Sequence, residues 1–104
     1  INLHKKGAIG DAIKYYQYFI DSDFKDPRVF SNYAVILYDL GKFEKAEQLV
    51  LKAIEIKPNL AEAHNTLGNI LRDVGRLKEA EISFRKAIEL QPNYADAHNN
   101  LGLG

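Results

Sequence analysis

Pro58 and Pro92 stand 34 positions apart, each inside a short match: Lys57-Pro58-Asn59 against Gln91-Pro92-Asn93. Shifting the chain by that distance also brings Gly41 onto Gly75, Ala46 onto Ala80, Glu47 onto Glu81 and Lys52 onto Lys86. Ala53-Ile54-Glu55 falls on Ala87-Ile88-Glu89, and Ala63-His64-Asn65 on Ala97-His98-Asn99. About a third of the positions in the two full units are identical, well above chance at one fixed offset. A unit this short cannot bury an apolar face alone, so a chain built this way gains its stability by stacking neighbours into an elongated array.

Each unit carries two helical patterns. Tyr33, Ile36, Leu37 and Leu40 are spaced by three and four, as are Leu67, Ile70, Leu71 and Val74. Ala46, Leu49, Val50, Ala53 and Ile54 repeat the period in one second helix, and Ala80, Phe84, Ala87 and Ile88 in the other. Asp26-Pro27 offers an N-cap followed by proline at the first helical position. Asn59 with Glu62, and Asn93 with Asp96, have the spacing of a capping box. Gly41 and Gly75 are placed to end the first helix of each pair in a left-handed turn, and Pro58 and Pro92 to stop the second. Gly68 and Ala80 are small enough to let the two helices of a unit approach closely. Ala53 and Ala87 do the same for the next unit.

These residues resemble the tetratricopeptide repeat, whose pattern is an aromatic, Leu-Gly, an aromatic, Ala, Phe and Pro. One unit supplies His64, Leu67, Gly68, Leu71, Ala80, Phe84 and Pro92; the unit before it supplies Phe30, Tyr33, Ala34, Leu37, Ala46, Val50 and Pro58. His64 fills the usual tryptophan slot, and Leu37 and Leu71 replace the tyrosine. The resemblance covers essentially the whole chain and implies an all-α fold, a right-handed superhelical solenoid of antiparallel helix pairs. Residues 27–60 and 61–94 are then complete repeats. Residues 1–26 hold the end of one helix, Gly7 and a full second helix, and residues 95–104 begin a further repeat. Phe19 stands where alanine is usual and Phe24 where proline is. The chain opens at Ile1 without methionine and stops inside an expected helix, so it reads as a piece of a longer protein.

Composition narrows the function. Fourteen basic residues face fourteen acidic ones, a net charge of zero, so the excess that holds a nucleic-acid backbone is missing. No apolar run approaches the roughly 20 residues that cross a membrane. The absence of cysteine removes disulfides and thiolate metal sites and fits a reducing, cytoplasmic setting.

The resemblance also implies where a partner binds. In such repeats the first helices line a concave groove, here Arg28, Asn32 and Tyr38, then Asn65, Thr66, Asn69 and Arg72, then Asn99 and Asn100. An amide side chain both donates and accepts, so it can hold the backbone of an extended peptide without reading its sequence. The series is similar to the asparagine ladder of O-linked N-acetylglucosamine transferase repeats, interrupted by Thr66. The opposing interpretation is that these amides are solvated or bond neighbouring repeats. Replacing Asn65 and Asn69 by alanine is expected to weaken a ligand without unfolding the chain. The family's carboxylate clamp for chaperone tails needs cations where this chain has Asn65, Asp96 and Asn99, so that mode is not expected.

Catalytic constellations are absent from the sequence. His64 and His98 have no second histidine three or four residues away and are read as packing groups rather than metal ligands. No phosphate-binding glycine loop or nucleophile elbow is present. The cluster Tyr15, Tyr16, Tyr18 and Phe19 is read as core packing, with an aromatic contact patch as the alternative. The expected function is therefore a non-enzymatic scaffold, without cofactor, for a protein or extended peptide. Two alternatives stand beside it: a substrate-presenting arm of a larger transferase, and self-association through exposed repeat ends.

Overall fold

The computed structural model describes residues 2–21 and 25–102, with side chains from residue 8 onward. The expected role of Phe24 lies outside the described residues. Six helices follow one another: α1 (Asn2–Asp21), α2 (Pro27–Asp39), α3 (Phe43–Ile56), α4 (Ala61–Asp73), α5 (Leu77–Leu90) and α6 (Ala95–Leu101). No strand occurs among the described residues.

Local chemistry sets most of these limits. Asp26 caps α2, its carboxylate accepting the Arg28 backbone N–H at 2.9 Å, with Pro27 next in line. At the other end Gly41 has φ 79°, a region that costs a side-chain-bearing residue strain. The reversal lets the Lys42 N–H reach the Leu37 carbonyl at 2.8 Å and the Gly41 N–H reach Tyr38 at 2.9 Å, closing a Schellman motif. Gly75 repeats the device at φ 88°, with Arg76 bonded to Leu71 and Gly75 to Arg72.

Two expectations need correction. The capping boxes do not form: the N-caps of α4 and α6 are Leu60 and Tyr94, one residue after the asparagines, and neither makes a side-chain cap bond. Histidine stabilises the entry instead. The His64 Nε2–H donates to the Pro58 carbonyl at 2.8 Å, and the His98 Nε2–H to the Pro92 carbonyl at 2.7 Å. The break at Gly7 is also absent, because α1 runs as one helix of 20 residues. An interior glycine costs a helix only about 1 kcal/mol, which its neighbours outweigh here.

The helices pair antiparallel, α2 with α3 and α4 with α5, and each pair docks on the next helix. Phe30, Tyr33, Ala34 and Leu37 of α2 pack with Ala46, Val50 and Ala53 of α3 and with Ala63 and Ile70 of α4. Full burial of a side chain such as Val50 contributes about 1.5–3 kcal/mol. A second cluster joins Leu71 to Ala80 and Phe84, with Leu67 and Leu101 against it. Gly68 is decisive there: a Cβ at this position would lie 2.5 Å from Phe84 Cε1 and 2.6 Å from Cδ1. The equivalent pair one unit earlier is Ala34 and Val50, both fully buried. The larger residue on one helix thus meets the smaller on its partner.

The aromatic cluster of α1 divides. Tyr16 packs into the core and stacks on Tyr33, ring centroids 6.1 Å apart, while Tyr33 donates its hydroxyl to Gln17 Oε1 at 3.2 Å. Tyr15 and Tyr18 remain exposed. No described helix is long and apolar enough to cross a membrane.

Candidate functional site

The curvature of the stack follows from which helices touch. Among the described residues α2 contacts α4 and α4 contacts α6, whereas α3 and α5 do not meet. The first helices of the pairs therefore converge and the second helices splay, so α2, α4 and α6 form the concave side.

Side chains tie that inner row together at two places. Near the helix C-termini the Tyr38 hydroxyl donates to Asp73 Oδ2 at 2.6 Å, and the same carboxylate pairs with Arg72 at 3.3 Å. Burial raises the Tyr38 pKa, and the bond to Asp73 with its negative charge raises it further; Arg72 opposes both. The Arg72 guanidinium also lies over the Phe84 ring, 5.9 Å from its centre. Further along the row the Asn100 amide donates to Asn65 Oδ1 at 3.1 Å, joining α6 to the N-terminal half of α4. Tyr94 lies beside them, close enough for the Asn65 amide to act on its hydroxyl. Burial pushes the Tyr94 pKa up, as do the Glu62 and Asp96 carboxylates, and the Asn65 bond lowers it.

The groove residues expected from sequence thus separate into two groups. Asn65 and Thr66 are buried, at 7% and 5% exposure, and Asn100 is half-buried in its bond to Asn65. Tyr38 and Arg72 are engaged by Asp73. Arg28, Asn32 and Asn99 are exposed, and Asn69 is partly so. The Asn69 Oδ1 atom is shielded and has no hydrogen-bond partner, and the same holds for Ser31 Oγ one helix away. Alanine at Asn65 would therefore break an inter-helix bond, contrary to the expectation that the fold would be untouched. Tyr94 was missed in the sequence because it lies in a turn, outside both helical patterns. Its signal was the position it shares with Asp26 and Leu60, each the residue that opens a first helix.

An open pocket of 340 Å³ between α4, α5 and α6 is lined by Arg72, Ala80, Glu81, Phe84, Arg85 and Leu101 among others. Its Glu81 and Arg85 pair with each other at 3.0 Å along α5. Among the described residues no group of three or more histidines and carboxylates is arranged to hold a metal ion.

Paired helices with a converging inner row define a helical-repeat solenoid of the protein-interaction class. The tetratricopeptide repeat model matches residues 26–93, more than half of the chain. The chain belongs to the tetratricopeptide repeat family. Solved structures agree. The first such domain of Spaghetti (RPAP3), bound to the HSP90 peptide SRMEEVD, superposes with a TM-score of 0.87 at 28% identity, over 97% of this chain and 80% of that one. The second domain of human RPAP3, in complex with the HSP70 peptide SGPTIEEVD, gives 0.85 at 26% identity, over 97% and 84%. The Arabidopsis OM64 domain gives 0.87 at 26%, over 95% and 82%. Comparison with curated proteins returns no significant match.

Proposed function

We propose that this chain is a protein-interaction scaffold that holds an extended peptide or partner segment along the concave row of α2, α4 and α6. The observation that carries this reading is Asn69. Its side chain is partly exposed on the middle helix of the row, yet its Oδ1 lacks any donor. An unsatisfied buried acceptor costs about 1–3 kcal/mol. A turn of the amide about its last torsion presents that oxygen to the groove, where water or a peptide N–H satisfies it. Asn32 and Asn99 flank it, both exposed and both outside the inter-helix bonds. The peptide-bound neighbours support the same reading, since their matched domains are bound to short peptides. In this scheme residues 27–60 and 61–94 are two whole units, with parts of two more in 1–26 and 95–104. No catalytic step is assigned to any residue.

Self-association is the second reading. Exposed Tyr15 and Tyr18 on α1 and exposed Leu77 and Ile82 on α5 favour it, because apolar surface left open to solvent invites another copy. One experiment addresses both. A neutral heptapeptide, SQMQQVN with its N-terminus capped by the label and its C-terminus amidated, is titrated with wild type and with Asn69→Ala, while light scattering follows the mass. A monomer that binds saturably, and about three- to tenfold more weakly in the variant, is the expected outcome for the loss of one hydrogen bond. A protein whose mass rises with concentration and which ignores the peptide refutes groove binding and supports self-association.

A further inference from the structure

The inner row has a charge pattern that the chain as a whole conceals. Of the basic residues, only Arg28 and Arg72 lie on α2, α4 and α6, and no lysine does. Both arginines already face carboxylates, Arg28 with Asp26 at 3.8 Å and Arg72 with Asp73 at 3.3 Å. Against these two cations the same helices carry Asp39, Glu62, Asp73 and Asp96, a net of −2. Asp39, Glu62 and Asp96 are exposed, and none joins an ion pair among the described residues.

Two of these carboxylates lie on the neighbouring helices α4 and α6, which touch. Glu62 and Asp96 hold the same position in successive repeats, each in the first turn of its helix, α4 and α6. The Asn100–Asn65 bond fixes the two helices side by side, and Tyr94 lies close enough to feel both charges. A helix N-terminus alone carries roughly +0.5 charge and attracts anions. A full negative charge in each first turn reverses that preference. What results is a half-buried tyrosine beside two exposed carboxylates and the Asn65 amide, an environment that stabilises an ammonium or guanidinium group and repels a carboxylate.

We propose that the concave face selects an extended segment bearing lysine or arginine, whose cation seats beside Tyr94 between Glu62 and Asp96, and that it turns away acidic tails. This rests on the peptide-binding reading above and adds the chemistry of the occupant. Charge complementarity across a groove acts on partner choice more than on raw affinity, because a like charge brought to the wrong face meets an uncompensated field. The chain is therefore expected to differ from the two peptide-bound neighbours, whose ligands end in Glu-Glu-Val-Asp.

The test uses three heptapeptides, each with its N-terminus capped by the label, read by fluorescence anisotropy: the acidic SQMEEVD, the neutral SQMQQVN amide and the basic SQMKKVK amide. Wild-type chain is expected to bind the basic peptide about tenfold more tightly than the neutral one, the ratio one charge-assisted contact supplies. The acidic peptide is expected not to saturate. Raising salt from about 0.05 to about 0.3 M should shrink the difference, since exposed charges are screened. Glu62→Gln combined with Asp96→Asn should erase the preference and leave neutral binding in place. Equal affinity for the acidic and basic peptides overturns the proposal while peptide binding survives, and so does a preference that persists in the double variant. Binding of none of the three overturns both.

Discussion

Gly68 and Phe84 offer a quantitative test of how the repeats pack. A Cβ on Gly68 would sit 2.5, 2.6 and 2.8 Å from three atoms of the Phe84 ring. Carbon atoms are at ease near about 3.5–4.0 Å, so the ring would have to retreat by roughly 1 Å. It has little room, being 2% exposed and packed with Leu71 and Ala80. Gly68→Ala therefore combines two opposing effects. Helix propensity favours alanine by about 1 kcal/mol, and overpacking costs about 1–3 kcal/mol. The net expectation is a loss of about 1 kcal/mol. In a Phe84→Val background the clash disappears and the pair becomes the Ala34–Val50 pair already present one repeat earlier. There Gly68→Ala should stabilise by about 1 kcal/mol. The sign of one substitution thus reverses, a coupling of about 2 kcal/mol, within the range for contacting residues. Phe84→Val alone should cost about 2 kcal/mol through its cavity. Urea unfolding followed by circular dichroism at the helical band measures all four proteins. If Gly68→Ala stabilises both backgrounds equally, the ring contact does not limit the packing and the reasoning fails.

Two further outcomes concern the bonds across the inner row. Asn65→Ala removes the acceptor for Asn100 and the amide that acts on the Tyr94 hydroxyl, so it should lower stability by about 1–2 kcal/mol, whereas Asn69→Ala, which deletes an unpartnered acceptor, should leave the urea midpoint unchanged or raise it; the reverse ranking would contradict the assigned bonds. The Tyr38 pKa is raised by burial and by Asp73, so the folded state holds that proton more tightly than the unfolded one. Its contribution is fully present below about pH 10 and is lost as pH rises through the folded value. Tyr38→Phe should be about 1 kcal/mol less stable at neutral pH and should show a shallower loss above pH 10 than wild type; identical alkaline profiles would exclude the link.

Backbone requirements were the legible part of the sequence. Gly41 and Gly75 announce a left-handed turn because other residues are strained there, and Asp26-Pro27 announces a helix start because the two residues satisfy different needs of one helix end. The caps of α4 and α6 were less readable. Asn59 and Asn93 had suitable side chains, but the turns after Pro58 and Pro92 run one residue further, through the Leu60 N–H bonded to Lys57 and the Tyr94 N–H bonded to Gln91. The histidine that replaces the usual large aromatic then supplies a bond that an indole in the same slot would have to make with different geometry. The groove was half readable. Its helices and polar stripe follow from the period, yet the period assigns Asn65 and Asn99 to the same role. Asn65 is buried and bonded to Asn100 of α6, whereas Asn99 is exposed, so equal positions have unequal surroundings.

Net charge shows the same limit of composition in a sharper form. Fourteen cations against fourteen anions argued against a nucleic-acid partner, and that argument depends on the sum alone. A partner that lies in a groove responds to the charges lining it, and the solenoid sorts those by helix. Lysines occupy α1, α3, α5 and the turns, where Lys42 and Lys57 lie, while the inner helices keep four carboxylates and two arginines that are already paired. Because α2 touches α4 and α4 touches α6 while, among the described residues, the outer helices do not meet, the helices that carry the carboxylates converge and those that carry the lysines are spread apart. Convergence strengthens a field in a concave, partly dehydrated surface and dispersal weakens it on a convex one. A chain of zero net charge can therefore present a distinctly acidic groove, and its choice of partner depends on the curvature that stacking imposes on the charges as much as on their number.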